Sequence, residues 1–185
     1  MGYDPVRDCE YIPLVWRLIS TFVDIALHRR GPEHIPASQF LLALLLLVYL
    51  IVGFVALKAG ESLDGRTGLY FVADSFFYFS YVWVVLKVFK LQQRFLQTVS
   101  ALVGVDVLMN LLGIPLLVWN RASALAEPAA TVPTLLFVLL FFWSIDVAGH
   151  IVSKALGRAY FSGVVVIVTY VICSMIVRDW VFEGV

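Results

Sequence analysis

The sequence predicts an all-α polytopic membrane bundle, with about five transmembrane helices behind an N-terminal amphipathic interfacial helix. Three observations carry this expectation. Apolar residues make up 62% of the 185 residues and charged residues only 14%, against roughly 45–50% and about 25% in soluble domains. So short a chain cannot hide that excess in a soluble core, because small domains leave much of their surface exposed. The apolar residues also gather into five runs, each near the roughly 20 residues a spanning helix needs, and the runs are continuous where barrel strands would alternate.

Residues 1–38 read as a cytoplasmic tail. Within it, 12–29 places Arg17, Ser20, Thr21, Asp24 and His28 on one helical face and Leu14, Val15, Leu18, Ile19, Phe22 and Ile25 or Ala26 on the other. That pattern suits either the membrane surface or the protein's own cytoplasmic face. Arg29, Arg30, Gly31 and Pro32 stop this helix, and Pro36 keeps the connection extended. Asp4, Asp8, Glu10 and Arg17 argue against a signal peptide, and Val6 against myristoylation at Gly2.

Residues 39–185 form a single transmembrane domain. The expected spans are 39–58, 69–89, 96–119, 133–153 and 159–177. A polar turn from Gly60 to Gly68 separates the first two, and an Ala-, Ser- and Pro-rich loop from Asn120 to Pro133 separates the third and fourth. Pro115 is expected to kink the outer part of the third span. With five spans, Arg7, Arg17, Arg29, Arg30, Lys87, Lys90, Arg94, Lys154 and Arg158 share one side, and Lys58, Arg66, Arg121 and Arg178 the other. The basic side faces the cytoplasm, which predicts a cytoplasmic N-terminus and a periplasmic C-terminus in a bacterial inner membrane. Tyr70, Trp119 and Trp180 then fall at the outer interface. A four-span arrangement would make one run re-entrant and return the C-terminus to the cytoplasm.

Ionisable groups inside spans cost roughly 2.5–3.5 kcal/mol each at the bilayer centre, so each needs a partner or a task. Asp106 and Asn110 are four apart on the third span, and Asp146 and His150 four apart on the fourth, so each pair shares a helix face. At 1.5 Å per residue the two aspartates lie roughly 15 and 12 Å from the cytoplasmic ends. They are expected to face each other, forming either a proton or cation relay from His150 through Asp146 to Asp106, or structural glue between helices. Asp74 on the second span is expected nearer the outer interface and hydrated. Small residues at Ser100 and Gly104, Gly149 and Ser153, and Ala159 and Gly163 have the spacing of close helix contacts, and Gly104 and Gly149 are expected to bring the third and fourth spans together. The aromatic second span, from Phe71 to Phe89, reads as a groove for an isoprenoid, quinone or lipid chain, or as packing and lipid-facing surface.

No phosphate loop, HExxH, nucleophile elbow or acidic magnesium motif is present. Ser144 and Ser153 near His150 are too little for a hydrolase. Cys9 and Cys173 are expected reduced, and two cysteines with three histidines make a zinc site unexpected. No cofactor is expected. The zero formal charge argues against nucleic acid as a partner.

The stretch Arg29-Arg30-Gly31-Pro32-Glu33-His34-Ile35-Pro36-Ala37-Ser38, set between an amphipathic helix and the first span, resembles a pattern in small uncharacterised inner-membrane proteins of proteobacteria. The layout as a whole resembles the Yip1-like superfamily, with five packed spans and a His-then-basic turn (His150 to Arg158) before the last. The superfamily's eukaryotic Asp-Leu-Tyr-Gly-Pro run is absent, so the resemblance implies no trafficking role. The expected function is that of a non-enzymatic accessory or scaffold protein, binding membrane lipids and other membrane proteins or itself, in part through Arg17, Asp24, His28, Arg29 and Arg30 on the membrane-surface helix. Two alternatives stand beside it. One is a small proton- or cation-coupled transporter or channel component using Asp106, Asp146 and His150. The other is a lipid- or quinone-binding subunit of a membrane complex.

Overall fold

The computed structural model describes residues 14–60, 64–126 and 131–180. Cys9, the start of the predicted amphipathic segment at 12–13 and the acidic N-terminal residues lie outside them. The chain is all-α: α1 Leu14–Ala26, α2 Gln39–Ala59, α3 Gly65–Val88, α4 Phe95–Ala126, α5 Thr131–Leu156 and α6 Tyr160–Arg178. Short 3-10 turns at Pro32–His34 and Gln92–Arg94 precede α2 and α4. Among the described residues five helices, α2 to α6, are long and apolar enough to cross a membrane, as in a multi-pass membrane protein.

Local chemistry explains where the boundaries depart from expectation. Ser38 caps α2 by accepting from the Leu41 amide at 3.3 Å, so α2 starts at its expected residue. The helix α3 starts four residues early, because Asp64 accepts from the Thr67 amide at 2.6 Å and serves as its N-cap. The helix α4 runs on to Ala126, through residues expected as loop. Arg, Ala and Leu are strong helix formers, so the helix outlasts the span. Pro115 lies inside α4 without ending it.

The helix α4 is the axis of the bundle. Thr98 to Val105 are all buried, so this stretch of α4 is enclosed on every side. It packs against α1, α2, α3 and α5, while α6 leans on α5 and α3. Leu102 and Val103 meet Ile25 of α1, Leu86 of α3 and Val147 and Ile151 of α5 in one core.

Glycines set three close approaches. A Cβ on Gly163 would run into the backbone oxygen of Gly149, so α5 and α6 touch backbone to backbone, as the small-residue spacing on those spans anticipated. Gly53 of α2 receives the ring of Phe71 from α3. Gly104 corrects the expectation placed on it. It receives the ring of Phe22 from α1, not α5, because α1 lies in the groove between α4 and α5.

At the end of the bundle carrying the basic turns, α1, α3 and α5 finish alike. Arg29 N–H bonds to Asp24 O at 2.8 Å and His28 N–H to Ile25 O at 2.9 Å; Leu91 and Lys90 bond in the same way to Leu86 and Lys87, and Arg158 and Gly157 to Ser153 and Lys154. These are Schellman caps. The residue in the left-handed region is Gly157 in one, but His28 (φ 62°) and Lys90 (φ 58°) in the others.

Candidate functional site

The five spans converge on an open cavity of about 230 Å³, and each contributes to its wall: Tyr49 from α2, Asp74 and Tyr78 from α3, Asp106 and Asn110 from α4, Phe141, Ser144, Ile145 and Ala148 from α5, and Ile167, Tyr170 and Val171 from α6. Among the described residues no basic side chain lines it.

Its two carboxylates are held differently. Tyr170 Oη donates to Asp74 Oδ2 at 2.9 Å, and Ser174 Oγ donates to Oδ1. The Ser174 proton is thereby committed, so Tyr70 Oη, 3.3 Å from Ser174 Oγ, must donate to it. The same logic makes Tyr49 the donor to Ser75, at 3.2 Å, because Ser75 donates to the Phe71 carbonyl at 2.7 Å. Asp74 is thus set in a network spanning α3 and α6, where hydration was expected. Asp106 has none of this. Among the described residues no group donates to its carboxylate, and the Asn110 amide bonds to the Asp106 backbone oxygen at 2.9 Å. The Asp106 carboxylate faces the cavity beside Asp74 without a protein donor.

Asp146 and His150 belong to a second cluster. His28 Nε2 lies 3.2 Å from Asp146 Oδ2, and the Tyr160 hydroxyl donates to Asp146 Oδ1. The His28 ring meets His150 edge-on, centroids 4.4 Å apart. His150 Nε2 lies 3.2 Å from the Arg30 carbonyl, which only accepts, so this nitrogen carries the proton.

The structure therefore does not assemble Asp106, Asn110, Asp146 and His150 into one cluster. At 100° per residue, Ser144, Ile145 and Ala148 face the cavity while Trp143, Asp146 and His150 turn to the other side of α5. There α1 is anchored, with Trp143 Nε1 3.3 Å from the Ala26 carbonyl. No direct His150–Asp146–Asp106 relay passes through this helix.

The residues expected on a membrane-surface helix divide likewise. Arg17 is exposed. Asp24 pairs with Arg30 at 3.2 Å and, more loosely, Arg29 at 4.0 Å, and His28, itself partly exposed, turns to Asp146 of α5. Around α1, Leu18, Phe22, Ile25 and Ala26 face the bundle, while Trp16, Ile19, Val23 and Leu27 form an exposed apolar stripe beside the polar face. The aromatics of α3 serve packing: Phe71 stacks near Tyr49 and Phe54 at 5.4 and 5.6 Å, and Tyr78 meets Tyr170 at 4.6 Å. Phe76 and Trp83 are exposed.

Three tyrosines of the cavity (Tyr49, Tyr78 and Tyr170), together with Ser174, were not anticipated as site residues. The available signal was Tyr170 and Ser174, four apart and so on one face of α6. Among the described residues, no three His, Cys, Asp or Glu side chains converge as a metal site.

Fold and cavity together define a multi-pass α-helical membrane protein with a carboxylate-lined interior. No family model matches the chain, and neither the curated proteins nor the solved structures searched include a match.

Proposed function

We propose that this chain is a small, non-enzymatic transport or channel component that binds a cation or proton in its central cavity. One observation carries the reading: five spans converge on two carboxylates, one without a donor, in a cavity whose described lining holds no basic side chain. Charge buried in a low-dielectric interior needs compensation, and a mobile cation or proton supplies it at Asp106. The basic turns favour a cytoplasmic N-terminus by the positive-inside rule, and with the resemblance to proteobacterial proteins they favour a bacterial inner membrane. The test is flux into proteoliposomes under an imposed cation or proton gradient. Asp106→Asn should abolish flux at unchanged protein yield; undiminished flux in that variant would sink the proposal.

The exposed stripe of Trp16, Ile19, Val23 and Leu27 favours a second reading, the accessory or scaffold protein. Under it, native-nanodisc purification recovers a stoichiometric membrane-protein partner that Ile19→Ser with Val23→Ser releases. A partner retained by that double variant removes the stripe from the account.

A further inference from the structure

The central cavity continues into a second one. A groove of about 180 Å³ between α4 and α5 shares Asp106, Asn110, Phe141 and Ser144 with it, and then passes Met109, Gly113, Leu117, Phe137 and Leu140. From Asp106 to Leu117 this is roughly 16 Å along α4, toward the end of the bundle away from the basic turns. Beyond Asn110 the described lining is wholly apolar. Phe137 and Phe141 are 38% and 44% exposed, so the groove opens sideways, where lipid covers a spanning helix. Gly113 leaves it room: a Cβ there would stand 3.6 Å from Leu140 Cδ2, an ordinary contact, so a larger side chain fits the backbone but fills the groove.

We infer, building on the cation-binding reading of the cavity, that the ligand is an amphiphilic ammonium cation. Its head sits between Asp106 and the aromatic wall, and its hydrocarbon chain lies in the α4–α5 groove. Tyr78 and Tyr170, packed on each other at 4.6 Å, line the cavity with aromatic groups of the class that attracts quaternary ammonium ions, and Asp106 supplies the counter-charge. A phosphate would meet two carboxylates and no cation among the described lining residues, which favours a simple alkylammonium over a phospholipid headgroup. Entry is lateral, from the bilayer, past Phe137 and Phe141.

The experiment measures binding of tetramethyl-, butyltrimethyl-, hexyltrimethyl- and octyltrimethylammonium to the full chain in nanodiscs, by intrinsic tryptophan fluorescence, against empty nanodiscs. Affinity referred to the free aqueous concentration of each ligand should rise about fourfold per methylene, the factor equivalent to 0.8 kcal/mol for each CH₂ taken out of water. Gly113→Leu should flatten this dependence and leave tetramethylammonium binding unchanged; Asp106→Asn should abolish binding throughout. Unfolding midpoints confirm that both variants fold, and Gly113→Ala, a smaller obstruction, should give an intermediate slope.

If tetramethylammonium binds and needs Asp106, but chain length has no effect or Gly113→Leu leaves the slope intact, the amphiphile is wrong and the cation cavity stands. If none of these ammonium ions binds, the amphiphile falls, and the flux of Asp106→Asn under an imposed proton or inorganic-cation gradient decides the reading of the cavity separately. A lysophosphatidylethanolamine that outcompetes an alkylammonium of equal chain length would overturn the assignment in favour of a phospholipid.

Discussion

Tyr170 of α6 donates a 2.9 Å hydrogen bond to Asp74 of α3, whereas the carboxylate of Asp106, which shares its cavity, receives no hydrogen bond from any described residue; Asn110 reaches only the Asp106 backbone oxygen. The first carboxylate joins two helices and the second is open to a ligand, so their neighbours should respond differently to substitution. Tyr170→Phe leaves Asp74 with only the Ser174 donor. It should cost about 1.5–3 kcal/mol, as hydrogen bonds to charged groups do, and lower the thermal midpoint in detergent. Asp106→Asn, which breaks no hydrogen bond to the side chain, should hold that midpoint or raise it.

Gly163→Ala places a methyl group against the Gly149 carbonyl and the Ser153 amide. Backbone cannot yield as a side chain tip can, so α5 and α6 must separate. Overpacking of this kind costs about 1–3 kcal/mol, and the midpoint should fall accordingly. Gly65→Ala, which meets open space, is the control.

Lys90→Gly should stabilise the protein. Lys90 is exposed and holds φ 58° in the cap of α3, a conformation that costs a side chain roughly 1–2 kcal/mol. Glycine removes that cost, less the greater freedom it gains in the unfolded chain. A net rise of up to about 1 kcal/mol should appear in thermal unfolding. The same change at His28 should destabilise, because it also removes the Asp146 and His150 contacts.

Hydrogen bonds from Thr67, through its side chain and its backbone amide, hold the Asp64 carboxyl below its ordinary range. A depressed carboxyl contributes stability that is complete above its unfolded-state value and is lost as pH falls through the folded one. The start of α3 should therefore fray on acidification. Asp64→Asn should remove this pH-dependent part, as read by amide exchange at Thr67 and Gly68 on either side of that transition.

The spans were legible because lipid imposes one simple demand, continuous apolarity over a helix long enough to cross. Where the demand lapses, other chemistry decides. Arg121 to Ala126 stay helical because nothing before Pro128 stops them, and α3 begins where Asp64 can cap it. The site was half legible. Asp106 and Asp146 announced themselves as charges inside apolar runs, and four-residue spacing put each on one helix face with its neighbour. Spacing along one helix cannot say what that helix faces. Asp146 turned to His28 and Tyr160 because α1 fills the groove over Gly104, a packing event written in Phe22 and not in any charge.

The three matching caps bear on how the molecule can move. Each closes a helix end with two backbone hydrogen bonds inside its own last turn, so α1, α3 and α5 resist fraying where helix termini ordinarily leave carbonyls unpaired. The α4–α5 groove runs the other way, toward the end of the bundle that these closed termini do not share.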